Sequence, residues 1–180
     1  MEEMKKEYYN GNKQEFWKTD LDYPFILYPM NEQIRHQAEK QLGVTLPESF
    51  IDLYSKQNGG DLAYSYFMLP DEGEGWVTSF DPIHFENDDE SLFTMTQYAG
   101  EEGIQGKIAV LWSDFHHWLA LDYRKTTVNP SIIYIVENYE QHDIAWEYLE
   151  IAPSFDVFLT MLYRKAIIDP KTLKVTYKKR

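Results

Sequence analysis

Two histidines stand side by side at His116-His117, with Asp114 just before them. Imidazole beside carboxylate can serve as a general base or a metal site. The pair sits in Ser113-Asp114-Phe115-His116-His117-Trp118, between two apolar runs, where a hairpin loop is the plainer account. Adjacent side chains on a strand point to opposite faces, which disfavours a shared ion. His36, His84 and His142 stand singly, and there is no helical His-x-x-x-His pair. Asp88-Asp89-Glu90 lacks the spacing of a calcium loop and reads better as the acidic start of a helix. Neither Ser49 nor Ser55 has a Gly-x-Ser-x-Gly setting, and the glycines form no dinucleotide or phosphate loop. Nothing selects two of the 30 acids as a glycosidase pair. We therefore expect no catalytic residue, no metal and no cofactor.

Charge and aromatic residues are more informative. The formal net charge of the 180 residues is −13, which argues against a nucleic-acid partner because affinity for phosphate is mostly electrostatic. Between Lys56 and Lys107 there is no Lys or Arg, and residues 57–106 contribute −11 of that total. The same span keeps Trp76, Phe80 and Phe85 among its carboxylates. Acids around an aromatic anchor suit a surface that captures a basic protein, charge speeding encounter while the ring buries area. Asp71, Glu72, Glu74, Trp76, Glu86, Asp88, Asp89 and Glu90 are the candidate partner-binding residues, with His116 and His117 added from the later loop. An acidic soluble surface with those aromatics in the core is the alternative. The last ten residues are opposite in sign, with five cations and no acid.

These features need a frame. The length suits one domain. There is no cysteine, hence no disulfide framework, and no apolar run approaches the ~20 residues of a membrane helix. The charged start, Met1-Glu2-Glu3-Met4-Lys5-Lys6, is unlike a secretory signal, so the expectation is a cytoplasmic protein. Residues 1–30 read as an extended arm wrapping the domain, 31–168 as the domain itself and 169–180 as a basic tail, either disordered or an edge strand. Asn31 caps a helix through about Leu42, and Gly43 suits the position past its end. Leu46-Pro47 opens a second helix with Phe50, Leu53 and Tyr54 on one edge, and Asn58-Gly59-Gly60 stops it. Leu62–Pro70 is a strand or a buried loop, and Trp76–Phe80 and Ile83–Phe85 have strand character. A helix follows from Asp88-Asp89-Glu90, with Leu92, Met95 and Tyr98 beneath it. Strands at Lys107–Ser113, Trp118–Tyr123, Ile132–Val136 and about Trp146–Ile151 have short connections and predict an antiparallel meander. Ser154 caps a last helix carrying Phe155, Phe158, Leu159, Leu162 and Tyr163. The fold class is α+β: one domain, an antiparallel sheet of mixed order, an N-terminal helical hairpin and a C-terminal helix packed on the sheet.

Leu42-Gly43, Leu46-Pro47-Glu48-Ser49-Phe50 and Gln57-Asn58-Gly59-Gly60, at this spacing, resemble the SUKH superfamily of SMI/KNR-type domains. The Trp118-Leu119-Ala120-Leu121-Asp122-Tyr123-Arg124 strand and the Ser154-Phe155-Asp156-Val157-Phe158-Leu159 helix continue the resemblance over roughly residues 31–165. The loop Asp114-Phe115-His116-His117 departs from it, since relatives often carry Gly- and Asp-rich residues there. The resemblance implies an α+β domain without enzymatic activity. In bacteria such domains are mostly immunity proteins that neutralise toxins, many of them nucleases; fungal members are implicated in regulating wall-glucan synthesis. It implies a protein partner, a toxin domain, which the acidic span suggests is basic; the charge and the lack of a long apolar run speak against nucleic acid and a membrane. Leu46, Pro47, Asn58, Gly59 and Gly60 are on this view structural, and specificity lies in variable surface.

Overall fold

The computed structural model describes residues 3–22, 27–86, 90–139 and 145–178. Helix α1 spans Glu32–Leu42 and is capped as its sequence predicts, the Asn31 side chain accepting from the Ile34 N–H at 3.0 Å. Gly43 follows in the left-handed region at φ 67, where a side chain would be strained. Helix α2, Glu48–Lys56, buries Phe50, Ile51, Leu53 and Tyr54, and Pro47 occupies the cap position rather than the first turn. Arg35 ties the two helices together through Glu39 and Glu48.

Asn58 explains why the stop signal has its composition. Its side chain is buried, donates to Pro29 O at 3.1 Å and Ile83 O at 2.8 Å, and accepts from Ile83 N at 2.7 Å. One amide thus joins the arm, the end of α2 and the segment that leads to the next helix. Gly59, at φ 81, passes so close to that segment that a Cβ would lie 2.8 Å from Pro82 N. The two backbone bonds to Asn58 also explain why Ile83–Phe85 is not a strand, against expectation. Ile83 bonds a side chain with both of its backbone groups and pairs with no strand.

Short strands follow: β2 (Gly60–Asp61), β3 (Tyr66–Met68), β4 (Glu74–Trp76) and β5 (Ser79–Phe80). Helix α3, Leu92–Glu101, begins at a Ser91 capping box with Thr94, so its first turn holds no acid. Leu92 and Met95 are buried as expected, but Ala99 completes the buried stripe and Tyr98 faces outward. Strands β6 (Ile108–Ser113), β7 (His117–Asp122), β8 (Ser131–Asn138) and β9 (Ala145–Ala152) then form the expected antiparallel meander in chain order. Helix α4, Phe155–Met161, is shorter than its apolar stripe suggests. Leu162 leaves it, and Tyr163 opens β10 (Tyr163–Ile168), followed by β11 (Val175–Tyr177).

Strands β6, β7 and the first half of β8 read as nearly unbroken apolar runs because both faces are covered, whereas the edge strand β9 keeps Glu147 and Glu150 exposed. Ala109, Leu111, Leu119, Leu121 and Tyr134 join the main core with α2 and α4. Ile108, Val110, Trp118, Ala120, Ile133 and Ile135 form a second core with Met95 and Ala99 of α3. A register shift between Val110 and Trp112 puts Trp112 in the main core beside Leu111. The free edge of β6 is blunted: Val110 N donates to Thr96 Oγ1 at 2.9 Å, and Leu111 O accepts from Asp81 N at 2.8 Å.

Both ends of the chain meet in one sheet. Strand β1 (Glu3–Tyr8) pairs antiparallel with all of β10, whose other side takes β11 and, at Tyr163, β3. The arm also touches the domain through bridges Trp17–Leu62 and Tyr28–Asn58.

Candidate partner-binding surface

The candidate residues fall into three places. Asp71 and Glu72 form the exposed β3–β4 turn, where Asp71 Oδ1 accepts from Gly73 N at 3.0 Å. Glu74, on the next strand, is exposed but engaged, accepting from Tyr163 Oη and the Lys165 ammonium. Burial pushes the Glu74 carboxyl up, but those two bonds outweigh it and leave it below the ordinary value. It is therefore a tie between β4 and β10 and not a free acid.

Glu86 and Glu90 are exposed and frame residues 87–89; Asp88 and Asp89 lie outside the described residues. Between them His84 is buried, accepting from Glu86 N at Nδ1 and bonding Glu90 O at Nε2, so the proton belongs on Nε2. Its ring stacks on Tyr28 at 4.0 Å. A cleft of about 450 Å³ opens there between α1 and α3, lined by Gln41, Glu86, Thr94 and Gln97 among others.

The third place is the β6–β7 turn, and Trp76 belongs to it. His117 packs against Trp76 with ring centroids at 4.7 Å and stacks on Tyr134 at 5.7 Å. Its Nδ1 lies 3.1 Å from both Asp114 oxygens, and Asp114 Oδ1 also accepts from the His116 and His117 N–H groups. His116 turns away and meets Glu137 at 3.2 Å from its Nδ1. The Tyr139 hydroxyl is the largest influence and, with help from His116, holds the Glu137 carboxyl below its ordinary value against the opposing effect of burial. The two imidazoles thus pair with different carboxylates, as opposite strand faces require. Among the described residues, no three His, Asp or Glu side chains converge in a way that could hold a metal.

Each histidine–carboxylate pair has the geometry to share a proton, but neither histidine lines the cleft between α1 and α3. A more apolar cleft of about 460 Å³ beside Tyr9 and Leu53 excludes them as well. A third, about 680 Å³, lies between the arm and the terminal strands, bordered by Trp17, Asp61, Arg164 and Tyr177. There the Arg164 guanidinium is paired with Glu7 and sits over the Tyr177 ring at 3.9 Å.

The expected aromatic anchors are largely interior. Phe80 is buried, Phe85 stacks on Phe93, and Trp76 is half-buried against His117. Large exposed rings occur instead at Phe115, Tyr98 and Tyr139, which are 48%, 42% and 79% exposed, and on the terminal strands at Tyr8 and Tyr177. Nothing in the composition marked these rings. The one available signal was that Phe115 follows Asp114 in a turn between two strong strands.

A family model described as SMI1 / KNR4 family (SUKH-1) matches residues 29–161. No curated protein and no solved structure matches the chain. The matched stretch holds α1 through α4 and the meander, whereas β1, β10 and β11 lie outside it.

Proposed function

The chain belongs to the SMI1 / KNR4 family (SUKH-1), and from that premise we propose a non-enzymatic, cytoplasmic immunity protein that binds a basic toxin domain such as a nuclease. The observation that carries the proposal is the exposure of the acids. Asp71, Glu72, Glu86, Glu90, Glu101 and Glu102 are all exposed, in a stretch without one Lys or Arg. A nuclease presents a cationic cleft to nucleic acid, and such a surface can occupy that cleft in competition. The His116–Glu137 pair stands on an open turn, which favours a contact role over catalysis.

The test is co-expression with the C-terminal domain of the toxin encoded beside this chain. Growth protection and a stable complex are expected. Toxicity undiminished by the chain, with no complex formed, would overturn the proposal. A second possibility is a regulatory or scaffold protein in wall synthesis or signalling, with which the family match is equally consistent. A genomic neighbourhood without any toxin gene would favour it. Among the described residues no helix is long and apolar enough to cross a membrane.

A further inference from the structure

We infer that Phe115, beside Tyr98 and in one turn with the Asp114 carboxylate, is the aromatic anchor of the surface that docks the basic toxin domain. The inference rests on the immunity function proposed above. It names where on the molecule the partner sits.

The first support is conformational. Phe115 holds φ 68, a left-handed backbone that a bulky residue adopts only under constraint. The constraint is local, since Phe115 N donates to Ser113 Oγ at 2.7 Å and Asp114 fixes the next two N–H groups. The turn therefore spends strain on presenting an apolar ring to solvent. The other aromatics of β6 and β7, Trp112 and Trp118, are buried.

The second support is rigidity. The Phe115 ring meets buried Trp118 edge-to-face at 5.6 Å and lies 6.4 Å from Tyr98. A ring already fixed in place loses little freedom on binding, which is what makes an exposed aromatic an effective anchor.

Charge supplies the third. No Lys or Arg occurs in residues 108–123 or 126–163, so the turn and the end of β8 beside it, Val136–Asn138, hold acids and histidines as their only ionic side chains. Tyr139, which donates to Glu137, lies close enough to Asp114 to feel its charge. A partner that fits has an apolar cup for the ring within a rim of Lys and Arg. The terminal strands, rich in lysine, are the wrong sign for the same partner.

The experiment titrates the full chain against a catalytically inactivated form of the toxin domain encoded beside it. Phe115→Ala should weaken binding by at least about tenfold. Phe115→Gly should weaken it equally while melting no lower than Phe115→Ala, because glycine accepts the left-handed backbone more readily. Leu173→Ala, at an exposed site on the basic tail, should leave affinity unchanged. Tight binding by the parent together with near-parental binding by both Phe115 variants would overturn this surface and leave the immunity proposal standing. Failure of the parent chain to bind would overturn both.

Discussion

Asn58 is a single side chain that meets three backbone groups, two on Ile83 and one on Pro29. Truncating it leaves those groups buried without partners, each at about 1–3 kcal/mol. Asn58→Ala should therefore lower unfolding free energy by roughly 3 kcal/mol or more, read by denaturant titration. Asp81 is a different kind of buried polar group. Its Oδ2 has no partner, and burial, with Glu90 adding repulsion, raises its pKa to about 8. An unfolded aspartate titrates near 3.9. Between those values the unfolded chain has released a proton that the fold retains, so this contribution to stability is full below the unfolded value and is lost as pH rises towards 8. Asp81→Asn should flatten that fall, with a difference on the order of a few kcal/mol between pH 5 and 8. Melting curves at the two pH values check it; identical slopes for parent and variant would contradict the assignment.

At the scale of elements, α3 carries the second core, and its start depends on Ser91 and Thr94 bonding each other's N–H groups at 3.2 and 2.8 Å. Ser91→Ala should cost about 1 kcal/mol, measured by chemical denaturation. The helices and the meander were legible because their signals are local: caps at Asn31 and Ser154, a glycine after Leu42, and apolar runs separated by short polar turns. The terminal sheet was not. Glu3–Tyr8 is almost wholly exposed, so its sequence lacks the alternation that marks a strand, and its partner β10 lies some 160 residues away. Tyr163 misled for a related reason. Its spacing continues the stripe of α4, yet the ring is buried by β3 and β1, a packing that only the tertiary fold supplies. Residues 83–85 have strand-like composition, but Asn58 had already claimed the backbone groups of Ile83.

At the scale of the molecule, the chain divides its charge. The family module, residues 29–161, carries 23 acids against six Lys and Arg, a net −17 that exceeds the −13 of the whole chain, and the terminal sheet bears lysines, two of which the fold uses against aromatic rings at Tyr163 and Tyr66. The acidic character of the candidate surface was legible from composition, because exposed acids need no partner and composition records them directly. Its aromatic part was not, since exposure is a property of the folded chain. Trp76 and Phe80 look like Phe115 in sequence and differ from it only in what covers them.

The central claim is that an acidic surface holds a basic toxin domain, and the most direct test is its affinity as a function of salt. The full chain should bind the inactivated domain tightly near 0.1 M salt and lose at least about tenfold in affinity by 1 M, as the Debye length shrinks from ~10 Å to ~3 Å. Affinity that stays level across that range, or no binding at the lower salt, would contradict the account.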